Sequence, residues 1–411
     1  MDPNMNESEE IELKIADVVY QGKGLARQDG KVVFVPGVLP GEVVKVRQTR
    51  HNKNFSEAKL LKVVESSPAR VKPVCPLVAF PSSQPNKTCP GCVYQHVDYS
   101  TEVDLKQKQF INLLERMGGV DPSLCLPPVA SPESMGYRNK IVLHGAVKGK
   151  TPLMGYFAED NTTVLDVPAC PLARPEINEL LAKTRADDGF ASSVTDHLTA
   201  TFRFTKKDGA LMWVGQRKEG DPLLTEASVL GAISVPRGSF YQVNIAVADL
   251  LISHVIGLIK QVNPTYLVDL YCGVGVFALA AVKAGVKNVF GVDMDPYAVS
   301  TAAQNALNRK IENIEFKATT AQKGLKWALK NCDPAKTTVI IDPPRRGLER
   351  EIVERIASAQ PAGIIYVSCA ADTMARDVKQ LKAAGYSARS AKIFDMFPRT
   401  PYFESVTWLV K

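Results

Sequence analysis

The second half of the chain repeats one pattern, in which an apolar strand is followed by a short polar turn and a helix. The four units read TYLVDLYCGVGVFALAAVKAG, NVFGVDMDPYAVSTAAQNALNRK, TTVIIDPPRRGLEREIVERIASAQ and AGIIYVSCAADTMARDVKQLKAAG. Alternating strands and helices predict a parallel, doubly wound α/β sheet. Such sheets bind ligands beyond the carboxyl ends of their strands, so the residues that follow each strand are candidate site residues.

The chain has 411 residues, too many for one ordinary core, and this length predicts two or three domains. Short β-rich runs separated by glycine turns predict a small barrel of about five strands near the amino terminus. The predicted domains are the barrel at 1–66, a mixed α+β domain at 67–235 and the α/β domain at 236–411. A helix over 103–119 is expected to pack on the last domain. The terminal runs SARSAKIFDMFP and YFESVTWLV predict a pair of strands at one sheet edge.

The charge balance is mildly basic, since 50 Lys and Arg against 43 Asp and Glu give a net charge of +7. This excess permits a polyanionic partner without requiring one. No apolar run approaches the roughly 18 residues of a membrane span, and the amino terminus MDPNMNESEEIE lacks the basic and apolar segments of a signal peptide. We therefore expect a cytoplasmic protein with no membrane partner, whose eight cysteines are reduced. Nothing in the sequence requires more than one copy, so a monomer is expected.

The first strand of the α/β domain ends in DLYCGVGVF, where two glycines allow the backbone to approach a ligand closely. A nucleotide phosphate site is the competing interpretation. No Walker lysine follows the turn. Asp293 ends the second strand, where a carboxylate can accept hydrogen bonds from ribose hydroxyls or can cap the next helix.

Two more polar residues follow apolar strands of the same sheet. Cys369 stands where the strand AGIIYVS gives way to a polar helix. A cysteine in such a strand is usually a small core residue, but this one lies at the carboxyl end, where ligands bind. Asp342 has the corresponding place in DPPRRGL, although a turn and helix cap would explain that motif equally well.

Four cysteines form a second candidate site. Cys75, Cys89 and Cys92 are spaced C-x13-C-x2-C in a proline-rich loop, and VPACPL adds Cys170. Four thiolates suit either tetrahedral zinc or a four-iron cluster, and spacing alone does not choose between them. Unrelated buried cysteines are the alternative, which is more plausible for Cys170 than for the CPGC pair.

Six motifs follow one another along the chain. They are GYRNK (136–140), SFYQVN (239–244), DLYCGVGVF (269–277), DPPRRGL (342–348), VSCAADTMARD (367–377) and DMFPRTPYFE (395–404). The combination of DLYCGVGVF, Asp293 and DPPR resembles class I methyltransferases that use S-adenosylmethionine, and the six motifs in this order resemble the family of RNA uracil-5 methyltransferases. The barrel resembles a TRAM domain, a module appended to RNA-modifying enzymes, and its segment KVRQTRHNKN favours RNA through Lys45, Arg47, Arg50 and Lys53.

The resemblance implies methylation of uracil C5 in RNA with S-adenosylmethionine as methyl donor. C5 is a poor nucleophile, and a thiolate that adds to C6 activates it. Cys369 is the implied nucleophile, which requires a thiol pKa lowered by an arginine or a helix amino terminus. Glu404 is the implied base that removes the C5 proton. The family also implies a [4Fe-4S] cluster on the four cysteines, with zinc as the alternative, and methyl-donor contacts from Gln242, Tyr271, Asp293 and Asp342.

The resemblance further implies 23S ribosomal RNA as substrate, because the TRAM barrel and the four cysteines occur together in enzymes of that type. A transfer-RNA uridine is the close alternative. The target base must leave its stack to reach Cys369, so a loop or bulge is expected. Two other classes stay open: an RNA cytosine-5 methyltransferase, whose nucleophile usually lies in a TCS motif, and a noncatalytic, cluster-bearing RNA-binding protein.

The chain departs from the family pattern at several positions, none of which removes a residue that the mechanism requires. The insert AFPSSQPNK lengthens the first cysteine spacing, so a bulged loop is expected there. The substitutions are Asp293 for the usual Glu, Val276 for Asn, Tyr402 for His, and Ala370 and Ala371 for Asn and Pro.

Overall fold

The computed structural model describes residues 10–78, 87–149, 151–215 and 222–411. Within these ranges the chain forms a curled sheet near the amino terminus, a central mixed region, and a large sheet flanked by helices. The predicted bulge of the AFPSSQPNK insert lies outside the described residues, apart from Lys87.

The first sheet has six strands in the order β1-β5-β6-β4-β3-β2, and β1 also contacts β3, so the sheet curls around its own apolar core. The sheet has one strand more than the sequence predicted. The extra strand is β2, which is only two residues long and therefore too short to give a recognisable sequence pattern. The basic segment lies largely on β5, with Lys45, Arg47 and Arg50 exposed. The strands are β1 (Glu10–Lys14), β2 (Asp17–Val18), β3 (Lys23–Gln28), β4 (Lys31–Pro36), β5 (Val43–His51) and β6 (Phe55–Glu65).

The central region contains a four-stranded antiparallel sheet in the order β10-β9-β7-β8 and the separate hairpin β11-β12. Helix α1 precedes this sheet and continues into one π-helical turn, Leu114–Gly118. The elements are α1 (Tyr99–Leu113), β7 (Lys140–Lys148), β8 (Thr151–Gly155), α2 (Pro175–Arg185), α3 (Asp188–Ser193), β9 (Thr199–Thr205), β10 (Gly209–Val214), β11 (Leu223–Ser228) and β12 (Gly231–Pro236).

The last sheet has seven strands in the order β15-β14-β13-β16-β17-β19-β18, with apolar clusters on both faces. Five strands are parallel, whereas β19 is antiparallel to both of its neighbours and lies inside the sheet, so only β18 occupies the expected edge. The elements are α4 (Ile245–Val262), β13 (Tyr266–Leu270), α5 (Val276–Ala284), β14 (Asn288–Asp293), α6 (Pro296–Leu307), β15 (Ile314–Ala318), α7 (Ala321–Leu329), β16 (Thr337–Ile341), α8 (Arg350–Ala359), β17 (Gly363–Ser368), α9 (Ala371–Ala383), β18 (Ser387–Phe394) and β19 (Glu404–Val410).

The order of these strands reverses between β13 and β16. From β13 the chain proceeds outward to β14 and β15 on one side, and it then returns to β16 and β17 on the other. Such a reversal opens a crevice at the carboxyl ends of the two central strands, which is where open α/β sheets bind ligands. The predicted site residues after β13, β14, β16 and β17 therefore border one crevice.

Helix α4 is, among the described residues, the one helix long and apolar enough to cross a membrane, with a mean hydropathy of 1.7 over its 18 residues. The expectation that no apolar run approaches that length is therefore wrong. Val247, Leu251, Val255 and Leu258 of α4 are buried in one of the two core clusters of the large sheet. The apolar face of α4 is thus accounted for by packing inside the protein.

Helix α1 is attached to the large sheet through a buried group of charges. The Lys106 ammonium is fully buried and lies 2.7 Å from the Glu102 carboxylate and 2.8 Å from the Asp395 carboxylate. The Tyr99 hydroxyl donates to Asp395, and the backbone N–H of Arg399 donates to Glu102. These contacts hold the segment that leads into β19, because Asp395 and Arg399 both belong to DMFPRTPYFE.

Replacing Lys106 by alanine is expected to lower the free energy of unfolding by about 3–5 kcal/mol, since it removes the buried ammonium that two buried carboxylates share. Lys108 of the same helix makes an exposed ion pair with Asp17 and provides a matched control. Lys108→Ala should cost about 1 kcal/mol or less. Urea unfolding of the two variants measures the difference, and equal losses would contradict the assigned role of Lys106.

Candidate active site

The glycine-rich turn after β13 has the backbone shape that its sequence predicts, together with one unexpected feature. Tyr271 has a positive φ of 65°, a conformation that non-glycine residues rarely adopt and that often marks a functional site. Gly275 has a φ of 87°, and a Cβ atom there would lie 3.0 Å from the Ala302 side chain and 3.1 Å from that of Phe316. The turn is therefore packed closely against its neighbours and has no room for a side chain at Gly275.

A cavity of about 70 Å³ lies beside this turn. Three of the four predicted donor contacts line it, namely Gln242, Tyr271 and Asp342. The Oε1 atom of Gln242 is buried and has no hydrogen-bond partner among the described residues. A buried acceptor without a partner is costly, so a ligand that donates to it would be stabilised in this cavity.

Asp293 does not line that cavity, although it holds the turn that does. One carboxylate oxygen accepts from the backbone N–H of Gly273 at 2.9 Å, and the other accepts from the backbone N–H of Asp295, also at 2.9 Å. The cap of helix α6 is Asp295, which accepts from the N–H of Tyr297. Capping of α6 therefore does not explain Asp293, and each of its oxygens keeps a lone pair for a further donor.

Strand pairing brings Cys369 and Glu404 together. Ser368 of β17 pairs with Ser405 of β19, and the two strands are antiparallel. Cys369, which follows Ser368, and Glu404, which precedes Ser405, are therefore neighbours at this end of the strand pair. The Ser405 hydroxyl donates to the Ser368 carbonyl at 3.0 Å and ties the two strand ends together. Cys369 is half-buried and Glu404 is buried. A thiol and a carboxyl group thus meet at the same end of the sheet as the donor cavity.

The electrostatics of this group differ from the expectation of a stabilised thiolate. Burial, reinforced by the neighbouring Glu404 and Asp342 carboxyls, raises the pKa of Cys369 to about 11, and Arg345 opposes this shift without reversing it. The lowered thiol pKa expected from the sequence is therefore wrong for the chain without ligands. Burial and the Asp293 charge raise the pKa of Asp342 to about 7, and burial together with Asp342 raises the pKa of Glu404 well above its usual range.

The alkylation rate of Cys369 should rise about tenfold per pH unit from pH 7 to pH 10, because the thiolate fraction grows tenfold per unit below a pKa near 11. The measurement is iodoacetamide labelling without RNA or methyl donor, with the Cys369 peptide quantified by mass spectrometry. A rate that levels off below pH 9 would show that the thiol pKa is lowered after all.

Arg345 and Tyr402 occupy the space beside the thiol. The Arg345 guanidinium lies 4.0 Å from the centroid of the Tyr402 ring, a close cation–π contact. Arg345 also acts on the Cys369 thiol through a hydrogen bond and its charge, both of which lower the thiol pKa. Tyr402 stands where the family pattern has a histidine, and its ring orients Arg345, a cation that favours the thiolate.

The turn after Cys369 is held without the usual Asn-Pro pair. The Ser368 hydroxyl accepts from the Ala370 N–H at 3.1 Å, and the Thr373 hydroxyl donates to the Arg345 carbonyl at 3.0 Å. Helix α9 then begins at Ala371. Serine and threonine side chains therefore hold this turn in a chain that has Ala370 and Ala371 where the family pattern has Asn and Pro.

Asp377 is a site residue that the sequence reasoning missed. It is fully buried in α9, and its carboxylate accepts from the Leu348 N–H at 2.7 Å and from the Tyr366 hydroxyl at 2.8 Å. These bonds join the DPPRRGL loop to strand β17, so Asp377 sets the position of Asp342 and Arg345 relative to Cys369. In the sequence it is one acid among the charges of a polar helix, and no local signal distinguishes it.

The motif GYRNK connects the cysteine region to this site. The Arg138 N–H donates to the Leu172 carbonyl, the Asn139 N–H donates to the Val243 carbonyl of SFYQVN, and the Tyr137 hydroxyl donates to the Pro398 carbonyl at 3.0 Å. GYRNK is therefore hydrogen-bonded directly to two of the other motifs, SFYQVN and DMFPRTPYFE.

The four predicted metal-ligand cysteines lie in one neighbourhood. Cys75 and Cys92 are buried and share an apolar cluster with half-buried Cys170, and the charges of Cys75 and Cys170 act on Cys89. Arg138 also acts on Cys89 and Cys92. In the ranges that the structure describes, however, no group of three or more His, Cys, Asp or Glu side chains has the spacing of a metal site. The four thiols thus converge without forming a closed set of ligands.

Comparison with known proteins gives two family matches in this chain. The model described as tRNA (Uracil-5-)-methyltransferase matches residues 232–411, and the TRAM domain model matches residues 6–61. The chain is 31% identical to the 23S rRNA (uracil(1939)-C(5))-methyltransferase RlmD of Stenotrophomonas maltophilia over 96% of both chains. It is 30% identical to an uncharacterized RNA methyltransferase of Thermosynechococcus vestitus over 97% of both.

A solved structure resembles the chain over nearly its whole length. The tRNA (uracil-54, C5)-methyltransferase of Pyrococcus abyssi, in complex with S-adenosyl-L-homocysteine, is 25% identical with a TM-score of 0.72. The match covers 97% of this chain and 100% of that one. The predicted fold class, a methyltransferase-type α/β sheet with an amino-terminal TRAM barrel and a mixed region between them, is confirmed.

Proposed function

The chain belongs to the RNA uracil-C5 methyltransferase family, and from that premise we propose that it methylates C5 of a uridine in 23S ribosomal RNA, with S-adenosylmethionine as the methyl donor. The observation that carries this proposal is the strand-end geometry. A thiol and a buried carboxyl group are neighbours at the ends of β17 and β19, beside a cavity at the point where the strand order reverses. This arrangement supplies a nucleophile and a base next to a ligand site.

The residues around the cavity fit the methyl donor. Gln242 offers an acceptor without a partner, Asp342 offers a carboxyl group, and Tyr271 offers a ring at the glycine-rich turn. Asp293, at the end of the neighbouring strand, is proposed to accept from the ribose hydroxyls, as acids at this position do in related sheets. S-adenosylmethionine, when bound, supplies the methyl group as an electrophile.

The proposed chemistry assigns one role to each catalytic side chain. The Cys369 thiol loses its proton to solvent, and the thiolate forms a bond to C6 of uracil, which moves the electron pair of the C5–C6 double bond toward C5 and makes that carbon nucleophilic. After C5 has gained the methyl group, the Glu404 carboxylate takes the remaining C5 proton. The electron pair of the C5–H bond then restores the double bond and releases the Cys369 thiolate. Burial raises the pKa of Glu404, so its carboxylate, once formed, holds that proton more strongly than an exposed carboxylate does.

Binding of a loop or bulge of the RNA is proposed to precede this chemistry. The target base must leave its stack to reach Cys369, and proteins that act on a base read it in an extruded state. The exposed cations of β5 suit the phosphate backbone of the RNA. The relative from Stenotrophomonas maltophilia acts on 23S rRNA, which is why ribosomal RNA is proposed before transfer RNA.

The test uses unmodified transcripts of 23S rRNA and of tRNA, each incubated with the chain and isotopically labelled S-adenosylmethionine. Mass spectrometry of nuclease fragments then locates any 5-methyluridine. Labelled 5-methyluridine at one rRNA position is the expected result. Methylation of tRNA alone would show that the proposed substrate is wrong and that the proposed chemistry is right. Formation of 5-methylcytidine would instead identify a cytosine-5 enzyme. Calorimetric failure to bind the methyl donor would favour a noncatalytic RNA-binding protein.

We also propose that Cys75, Cys89, Cys92 and Cys170 hold a [4Fe-4S] cluster. The support is chemical, because the converging donor set consists of four thiols and the Arg138 guanidinium is near enough to offset thiolate charge. Anaerobically purified protein should contain about four iron and four sulfide per chain. Cys170→Ala should lose most of both, whereas Cys332→Ala, outside the group, should keep them. A content of one zinc per chain without sulfide would show that the four cysteines form a tetrahedral zinc site and not an iron–sulfur cluster.

Cytoplasmic location, a monomeric state and the absence of a membrane partner stay predictions, as do the domain boundaries at 66 and 235.

A further inference from the structure

Tyr20 belongs to the barrel, in the turn between β2 and β3, yet it packs against the core of the large sheet. Its ring meets the ring of Phe403 edge to face, with centroids 6.1 Å apart and an interplanar angle of 71°. Phe403 in turn meets Phe110 of α1, with centroids 6.0 Å apart. Because Phe403 directly precedes Glu404, a barrel residue supports the backbone that carries the proposed base.

The other end of the Tyr20 side chain lies at the start of helix α9. Its phenol is close enough to the backbone of Ala371 to interact with it, and the charges of Asp372, Cys369 and Arg345 also act on it. Burial is the main reason that the pKa of Tyr20 is raised above its ordinary value, so the phenol stays neutral. Ala371 follows the proposed nucleophile by two positions, which places Tyr20 next to the turn that carries Cys369.

The barrel is fixed near Tyr20 by polar contacts from α1 to the two residues Asp17 and Val18, which precede it. The Gln109 side-chain amide of α1 donates to the Val18 carbonyl at 3.1 Å, and Lys108 of α1 pairs with Asp17 at 2.8 Å. The side chain of Gln109 and the hydroxyl of Tyr94 also share a buried hydrogen bond. The turn that carries Tyr20 is therefore anchored on α1, the helix that also holds the segment leading to Glu404.

We propose that Tyr20 is a positioning residue of the reaction, a spacer from the barrel that fixes the distance between Cys369 and Glu404. Its ring lies between the start of α9, just after the nucleophile, and Phe403, just before the base. The inference rests on the proposed function. It also gives the barrel a part in forming the reactive geometry, in addition to any part in binding RNA.

Tyr20→Ala should slow the formation of free 5-methyluridine in ordinary, unfluorinated RNA by about 10-fold to 100-fold at saturating RNA, because that product needs both Cys369 and Glu404 in place and an error of about 1 Å in reacting geometry costs that much. The dissociation constants for RNA and S-adenosylmethionine should stay within about twofold of those of the wild type, since Tyr20 is not placed in either binding site. Tyr20→Phe keeps the ring and should react at close to the wild-type rate. Tyr20→Leu keeps apolar volume without the ring and should resemble Tyr20→Ala, which preserves the test if the alanine variant unfolds.

Lys108→Ala is the matched control, since it weakens the same barrel contact at a position away from Phe403 and α9. It should release methylated RNA at the wild-type rate. A wild-type rate of product release in Tyr20→Ala or Tyr20→Leu, or a loss that disappears at saturating RNA, would overturn the positioning role alone. Failure of the wild-type chain to form an adduct with any RNA would instead overturn the proposed function.

Discussion

Replacing Cys369 by alanine is expected to lower the rate of RNA methylation at least about 10⁴-fold, equivalent to about 5.5 kcal/mol of activation free energy. The reason is that Cys272, the other cysteine that the structure describes beside the donor cavity, lies buried in the donor turn and cannot take the place of Cys369. Without addition at C6, C5 stays a poor nucleophile. Methyl transfer to unmodified RNA under single-turnover conditions measures this loss.

Binding of S-adenosylmethionine by Cys369→Ala should match that of the wild type, since the donor cavity lies beside the crevice and is lined by other residues. The matched control is Cys332→Ala. Cys332 is half-buried, and its thiol donates to the Ala328 carbonyl in a region remote from the motifs. Retained methylation by Cys369→Ala, at a rate within tenfold of the control, would rule out the covalent mechanism.

Replacing Glu404 by glutamine should lower turnover about 10³-fold to 10⁴-fold while the covalent RNA complex accumulates. Glutamine keeps the shape of the side chain but cannot take the C5 proton, so the methylated adduct cannot release the Cys369 sulfur. The complex should be visible as a slow band in a denaturing gel with ordinary, unfluorinated RNA. Addition at C6 should persist, because Cys369 is unchanged.

Glu349→Gln is the control for that experiment. Glu349 is an exposed carboxylate at the start of α8, and its partner is Arg346 at 2.6 Å. Its replacement should leave turnover unchanged and give no trapped complex. If Glu404→Gln releases free methylated RNA at the rate of the control, another group removes the proton.

Sequence reasoning located the strand-end residues because each of them follows an apolar run directly. The alternating pattern placed Tyr271, Asp293, Asp342 and Cys369 at the carboxyl ends of parallel strands, which necessarily share one edge. It could not place Glu404 beside Cys369, because that depends on β19 entering the sheet antiparallel between β17 and β18. Only the family resemblance connected the two residues before the fold was available.

The remaining features depend on contacts distant in sequence, for which local patterns carry no signal. Lys106 stands in a helix among other charges and resembles a solvated lysine, yet it is fully buried between Glu102 and Asp395. Tyr20 resembles any aromatic residue of a small barrel, and its contact with Phe403 spans almost the whole chain. The raised pKa of Cys369 likewise results from burial and from carboxyls on other strands, none of which adjoins it in sequence.

The most direct test of the account is to incubate the chain with S-adenosylmethionine and 5-fluorouridine-substituted rRNA, and to sequence the protein peptide bound to RNA by mass spectrometry. Fluorine at C5 cannot be removed as a proton, so a uracil-C5 enzyme should stay attached to its target. The account predicts one cross-linked peptide, joined through Cys369 to one methylated nucleotide. A cross-link through another cysteine, or methylated RNA released without any adduct, would contradict it.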